Sequence, residues 1–513
     1  MLKENIRSMD VAQSSVGMDI VIVSVQDSEQ EAYWQKRLHK TRGQVVKNSA
    51  YIIVVQEDWP GGAGNGLGSL YAYQKAREKG YVLYKTDIFQ KQREGKSIAL
   101  YHTAGEGKRL YPLTAAEYGN KSAVKLPGLI KIEGKEEPIT LLEAAIKQTS
   151  IYAPSRKGRL SVFWADQLFV PANTPLYSST HHADILVKMT PMPTEEEWIH
   201  KELNRYGLIA LDKEGVAKNI DKADWATLKH LINEGKISIS GGVGLSLGSF
   251  SLSTPLTFAL IQEFQPELIQ KNVKMDSDPY IWMPFTLDQA SYIEAVQSKG
   301  ISAEEAKNHH LRIQYFKNHF LNKYPDAGLF GVVDIGVGSY FWDLGNLECY
   351  YENLMKMTQN TVEGYLLRDF FGHEQNKFSI VQGSQIESGE IKNSIVIDSK
   401  AQKLNIENTL IIGSYVTEVS AKRAILYKVL EETPSHFTEK TVRADVALPS
   451  LDKVEQIFAE IGQVTKRLWN VILKNNLESF SKLQEKVQKE SPEAGKAYFE
   501  EAQKKISSLT LTS

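Results

Sequence analysis

Short β-branched runs recur along the first third of this chain, and a stretch with helical spacing follows most of them. The runs are Met18-Asp-Ile-Val-Ile-Val-Ser-Val25, Tyr51-Ile-Ile-Val-Val55, Ser97-Ile-Ala-Leu-Tyr101 and Leu160-Ser-Val-Phe-Trp164. Helical spacing covers residues 29–41, 71–79 and 143–152. Runs that are apolar on both faces suit strands buried in a parallel sheet. The alternation predicts an α/β fold, a Rossmann-like, mostly parallel sheet with helices on both faces. In such sheets ligands sit at the carboxyl ends of the strands. Two glycine-rich stretches fall at those ends.

The first is Gly61-Gly-Ala-Gly-Asn-Gly-Leu-Gly-Ser-Leu-Tyr-Ala, with five glycines in eight residues. Glycines at this density let backbone approach a flat ligand. The second is Ala104-Gly-Glu-Gly-Lys-Arg-Leu-Tyr-Pro-Leu113. Its glycines and its Lys-Arg pair can wrap N–H groups and a guanidinium around a polyphosphate. The spacing fits neither the P-loop, Gly-x-x-x-x-Gly-Lys-Ser/Thr, nor the dinucleotide loop, Gly-x-Gly-x-x-Gly.

From Gly105 to Thr114 the sequence resembles the activating loop of sugar-1-phosphate nucleotidyltransferases, Gly-x-Gly-x-Arg-Leu-x-Pro-Leu-Thr. Lys108 stands where that family usually has Thr. The family's activating lysine, which precedes a Leu-Pro, has two candidates in Asn120-Lys121-Ser-Ala-Val-Lys125-Leu-Pro127. Lys121 is preferred, because Lys-Ser-Ala-Val is the closer match. The stretch containing Gly62, Gly64, Gly66 and Gly68 is similar to the family's base- and ribose-holding loop. Here it precedes the arginine loop instead of following it. In that order the chain resembles the fucose-1-phosphate guanylyltransferases and bifunctional fucokinases, and Tyr101-His102-Thr103-Ala104-Gly105 echoes their His-Ala-Gly loop.

The resemblance extends to three further segments. Val162-Phe-Trp-Ala-Asp166 and Tyr340-Phe-Trp-Asp343-Leu-Gly-Asn look like the two segments that carry the metal-binding aspartates. Asn346 replaces a usual Thr. The hairpin containing Gly207, followed by Asp221-Lys222, resembles the segment whose lysine meets the sugar phosphate, with Asp221 in place of Glu. Ser246-Leu-Gly248 resembles the sugar-contacting Asn-x-Gly, with Ser in place of Asn.

What the resemblance implies is NTP plus sugar 1-phosphate giving NDP-sugar plus pyrophosphate, with Mg²⁺ as cofactor. Arg109 and the N–H groups of Gly105, Gly107 and Lys108 would hold pyrophosphate. Lys121 (or Lys125) would stabilise the α-phosphate. Asp166 and Asp343 would hold the metal, and Lys222 the attacking phosphate. The alternatives are a catalytically silent paralogue that binds nucleotide sugars and an acyltransferase. Acyltransferases of that type usually need a catalytic His, and residues 380–427 contain none.

Beyond about residue 375 the character changes. Ile391-Lys-Asn-Ser-Ile-Val-Ile-Asp398 and Ile406-Glu-Asn-Thr-Leu-Ile-Ile-Gly413 are near copies fifteen residues apart. This repeat predicts a β-solenoid over 376–450. After Leu451, the positions of Val454, Ile457, Phe458, Ile461, Val464 and Leu468 predict a helical tail over 451–513. The catalytic domain is expected over 18–375, preceded by a loose leader over 1–17. Solenoid and tail are the surfaces through which a homo-oligomer would form. His181 and His182 are expected at the surface.

The net charge of −2 gives no electrostatic case for nucleic acid or an anionic membrane. A single cysteine, Cys349, excludes an intrachain disulfide and a cysteine-based zinc site, which favours a reducing, cytoplasmic setting. No apolar run approaches the roughly 18 residues of a spanning helix.

Overall fold

The computed structural model describes residues 1–200, 203, 207–213, 216–221, 224–297 and 299–510. Strands β1 (Ile20–Val25), β2 (Tyr51–Gln56) and β3 (Ile98–His102) are parallel neighbours, with β1 in the middle. β4 (Lys125–Ile132) and β5 (Lys135–Thr140) form a separate hairpin. β6 (Arg159–Trp164) lies parallel to β3 on its other side. β7 (Gln167–Val170) leaves the main sheet.

β8 (His181–Thr190), β9 (Gly207–Leu211), β10 (Ala217–Asp221), β11 (Gly242–Ser253) and β12 (Gly328–Asp334) complete it, with β11 antiparallel to β6. Among the described residues, nine strands make this one mixed sheet. β13 (Tyr340–Asp343) pairs antiparallel with β7 in a two-strand ladder beside it.

Alternation of side chains explains why these runs had to be strands. Val21, Val23, Val25, Ile52 and Val54 enter one apolar core, while Ile20, Ile22, Ile53 and Val55 enter the other. Both faces are therefore dry, each buried Val or Ile contributing about 1.5–3 kcal/mol. Helix Ser28–Lys40 covers the first face. It is started by Asp27, whose carboxylate accepts the Gln30 N–H. Helix Gly64–Tyr84 covers the second.

The chain then continues through β14 (Ile380–Gln382), β15 (Gln385–Lys392), β16 (Ile395–Ile397), β17 (Lys400–Glu407), β18 (Leu410–Ile412), β19 (Tyr415–Lys422), β20 (Ile425–Tyr427), β21 (Leu430–Glu431) and β22 (Ser435–Phe437). All pair in parallel, at a fifteen-residue offset except β22, which pairs with β19 at sixteen: Ile380 with Ile395, then Leu410, then Ile425. A second ribbon runs Gln385, Lys400, Tyr415. The recurring Asn-Ser/Thr marks the turns. Asn393 and Asn408 take left-handed φ values of 45° and 49°, which Asn tolerates. Ser394 Oγ accepts the Thr409 N–H at 3.0 Å, and Ser399 Oγ the Ser414 N–H at 3.0 Å. The first apolar core runs without a break into Ile395, Ile397, Leu410 and Ile412.

Four expectations are corrected. The leader is not loose: helix Leu2–Met9 buries Ile6 and Met9, and Asn5 donates to the Pro171 carbonyl at 2.8 Å. Its Leu2, Ile6, Met9 stripe outweighs its polar composition. The tail does not begin as a helix. β23 (Thr441–Leu448) pairs antiparallel with β24 (Lys453–Glu460), which buries Glu455, Ile457 and Ala459 at a spacing of two. The open edge of β23 selects a strand there, and helices come later, at Phe480–Val487 and Pro492–Thr510. The helix expected to start near Tyr71 starts at Gly64. His182 is buried, its Nδ1 2.8 Å from Ser253 Oγ. Among the described residues no helix is long and apolar enough to cross a membrane.

Candidate functional site

The second glycine-rich stretch, residues 104–113, is the candidate phosphate loop and leaves the end of β3. Thr103 anchors it, its N–H and hydroxyl both donating to the Ser24 carbonyl at the end of β1. Gly107 has φ +65°, and a Cβ there would stand 2.8 Å from Thr114 Cγ2 and 3.1 Å from Lys121 Cβ. Only glycine fits that combination of handedness and closeness. Among the described residues, no acceptor is met by the N–H groups of residues 105–109. Consecutive N–H groups around a left-handed residue make an anion-binding concavity.

The two aspartates come from segments far apart in sequence. Asp166 follows β6 by one turn, and Asp343 ends β13. The β7–β13 ladder puts Asp343 opposite Gln167, so the carboxylates become neighbours. Leu344 N–H donates to the Asp166 carbonyl at 2.8 Å, and Gly345 N–H to Asp343 Oδ1 at 2.7 Å. The point where a Cβ on Gly345 would sit is 2.7 Å from Asp166 Oδ2, 3.0 Å from Asp343 Oδ1 and 3.3 Å from Arg109 Nη2. Lys121 Nζ forms an ion pair with Asp166. Arg109, Lys121, Asp166 and Asp343 thus surround one small volume.

Their charges shape one another. Burial by itself would raise the Asp166 carboxyl, but Lys121 and Arg109 outweigh it and hold Asp166 below the usual range. Asp343 is pushed up, by burial first and then by the Asp166 charge. Asp343 is thus a carboxylate crowded by burial and by its neighbour, a strain that a divalent cation would relieve. The pair fits Mg²⁺, which takes one or two carboxylates and completes its octahedron with phosphate and water oxygens.

Lys125 lies elsewhere. Its backbone N–H donates to the Tyr427 hydroxyl, and its ammonium is buried near Glu117, which is itself paired with Lys428 at 2.9 Å. Lys121, not Lys125, reaches the aspartates. Lys108 pairs with Glu106 at 2.6 Å and sits over the Trp469 ring at 5.1 Å.

The other glycine stretch has two functions. Gly64 and Gly66 serve packing: their bare faces meet the Met275 carbonyl oxygen, at 2.7 and 2.9 Å from where a Cβ would be. The Gly66 N–H donates to that same oxygen, so it is not available to a ligand. Gly62, with φ +82°, and Gly68 instead border Glu57, a residue that the sequence patterns did not single out. The Glu57 carboxylate accepts the Ala63 N–H at 3.1 Å and the Ser24 hydroxyl at 3.3 Å, and burial raises its pKa. Beside Gly68, His102 Nε2 lies 2.8 Å from Ser69 Oγ, and burial pushes this imidazole down to about 4, so it is neutral. Its ring stacks on Trp164 at 5.3 Å.

Trp164 connects this floor to the last predicted residues. A Cβ on Gly248, φ +72°, would collide with the Trp164 indole nitrogen. Ser246 Oγ accepts the Gly248 N–H at 3.0 Å across a bulge in β11, and a Cβ on Gly207 would stand 3.3 Å from Ser246 Cβ. Asp221 pairs with Gly207 through the β9–β10 hairpin. Lys222 lies outside the described residues.

Gly345 and Glu57 are therefore the members that sequence reasoning missed. Gly345 stood inside a quoted motif, but only the convergence of three segments gives it meaning. No protein-family model matches this chain, and no curated protein matches it significantly.

Proposed function

We propose that the chain is a sugar-1-phosphate nucleotidyltransferase. The observation that carries this reading is the convergence of Arg109, Lys121, Asp166 and Asp343 around Gly345, next to a loop of free N–H groups at the carboxyl ends of the parallel strands of a mixed sheet.

In the proposed reaction a sugar-phosphate oxygen attacks the α-phosphorus of a nucleoside triphosphate in line with the departing pyrophosphate. One P–O bond forms and one breaks, so no protein nucleophile is needed, only alignment and charge neutralisation. Arg109 and the 105–109 N–H groups receive the pyrophosphate. Lys121 exchanges Asp166 for the α-phosphate oxygens as charge builds there. Asp166 and Asp343 would hold Mg²⁺, which supplies Lewis-acid neutralisation of the phosphates. Lys222 takes the sugar phosphate, with Ser246, Gly248 and Gly207 along the sugar.

Glu57 supports a base that offers adjacent N–H donors, as guanine does at N1 and N2, in line with a GDP-fucose-type product over a UDP- or ADP-sugar. The fifteen-residue repeat is read as a β-solenoid, which with the C-terminal helices would carry any homo-oligomer contact. A cytoplasmic setting belongs to the same reading.

The ion pair of Lys121 with Asp166 also favours a second reading, a silent nucleotide-sugar sensor in which that pair persists on binding. Pyrophosphate release, measured with Mg²⁺ over a panel of GTP, UTP, ATP and dTTP against sugar 1-phosphates, separates the two. Turnover with any pair supports the enzyme. Nucleotide-sugar binding without turnover supports the sensor.

A further inference from the structure

The phosphate loop is held from outside by the segment that follows β24. Thr465 is fully buried, and its hydroxyl donates to the Lys108 carbonyl at 2.5 Å. Four residues on, the Trp469 ring lies 5.1 Å from the Lys108 ammonium. That indole packs edge-on against Tyr111 at 5.1 Å, and Tyr111 against Phe480 at 4.6 Å. At its other end the segment passes Glu348, whose Oε1 is 3.6 Å from where a Gly462 Cβ would be. Glu348 belongs to helix Leu347–Met355, which starts just after Asp343 and Gly345. The segment thus bridges the two halves of the candidate site.

The bond to Lys108 has a directional consequence. The Lys108–Arg109 peptide is trans, so its carbonyl and its N–H point in opposite directions. A hydroxyl that fixes the carbonyl on the outside aims the Arg109 N–H inward. It also fixes the backbone of Arg109, whose guanidinium lies at the aspartate pair.

We propose that Thr465 is a positioning residue for the phosphate loop, supported by Trp469, and that it orients the 108–109 peptide toward the departing pyrophosphate. The proposal rests on the nucleotidyltransfer reading for its ligand, and on the loop tether alone for its geometry.

The test uses the full chain as wild type, Thr465→Val and Thr465→Ser. Magnesium pyrophosphate is the calorimetric probe, and amide hydrogen exchange at buried Leu110, whose N–H donates to the Gly107 carbonyl at 2.9 Å, is read without ligand. Expected for Thr465→Val are affinity about tenfold weaker, as for one lost hydrogen bond, faster exchange at Leu110 and only a small drop in melting temperature. Thr465→Ser, which keeps the hydroxyl, restores affinity and protection. Wild-type affinity in Thr465→Val, with wild type binding pyrophosphate, overturns the positioning proposal and leaves nucleotidyltransfer standing. No pyrophosphate binding by wild type overturns nucleotidyltransfer, and the tether is then judged by exchange alone. Unchanged exchange in Thr465→Val overturns the tether in every case. Should Thr465→Val fail to fold, Thr465→Ala and Trp469→Phe are read by the same two measurements and the same outcomes.

Discussion

Replacing Gly345 by Ala adds one methyl group and removes no charged or catalytic side chain. Gly345 is not among the glycines with left-handed φ, so its backbone accepts Ala without strain. The cost falls entirely on the neighbours. Non-bonded heavy atoms settle about 3.5 Å or more apart, and the new Cβ would lie 2.7 Å from Asp166 Oδ2 and 3.0 Å from Asp343 Oδ1. The carboxylates must retreat by roughly half an ångström or more, and Asp166 with them turns from Lys121. Misplacement on the order of 1 Å in such a site costs up to ~10²-fold. Overpacking of this size costs about 1–3 kcal/mol when it cannot relax. We therefore expect kcat/KM for pyrophosphate release to fall about 30- to 100-fold, with a folded protein and a small loss of melting temperature. Activity within about threefold of wild type, well below that range, would refute the claim that the two carboxylates and Arg109 act across that volume.

Gly105→Ala tests the other half of the site. Its added methyl meets nothing within 4 Å, so melting stays unchanged while the KM for the nucleoside triphosphate rises several-fold; an unaltered KM would mean that no phosphate approaches there. Arg109→Ala and Asp166→Asn should each lower turnover on the order of 10²–10³-fold while nucleotide binding partly survives, and full activity with Mg²⁺ in either variant would sink the proposed reaction. Glu57→Gln should flatten the preference within the nucleoside triphosphate panel, read as the ratio of kcat/KM for GTP to that for UTP. Asp398 supplies a pH test. Burial first, then Glu137, raise its carboxyl to about 6. The folded state therefore holds this proton more tightly than the unfolded chain, and stability falls as pH rises from about 4 to about 6 and is level above that. Asp398→Asn should melt higher than wild type at pH 7.5, with a gap that narrows toward pH 4; a gap independent of pH would refute the assignment.

The parallel strands could be read from single segments because each run is β-branched and apolar on both faces, and no other environment accepts that. The fifteen-residue offset was legible for a related reason: a turn needing left-handed backbone left its own mark at Asn393 and Asn408. Helix Leu2–Met9 was hidden by its charged positions, and its stripe acquires meaning only from the wall it packs on. The strand Lys453–Glu460 was misread because Ile457 and Phe458 fit both spacings, and only the unpaired edge of Thr441–Leu448 decides between them. The same division runs through the site. Asp166 and Asp343 could be picked out because each closes an apolar run, at or just past a strand end, in a segment resembling the family's metal-binding ones. Glu57, Gly345 and Thr465 could not, because each acts on groups that the fold brings from elsewhere.

The antiparallel ladder between residues 167–170 and 340–343 makes one rigid unit of the two acids. Arg109 and Lys121 stand on a loop and a short helical turn outside that unit. On the proposed reading, arriving phosphate would meet acids held at a fixed mutual spacing, and the side chains of Arg109 and Lys121 would be the groups that move. Under the proposed function, any adjustment at this centre would be a movement of positive charge across a stationary negative pair.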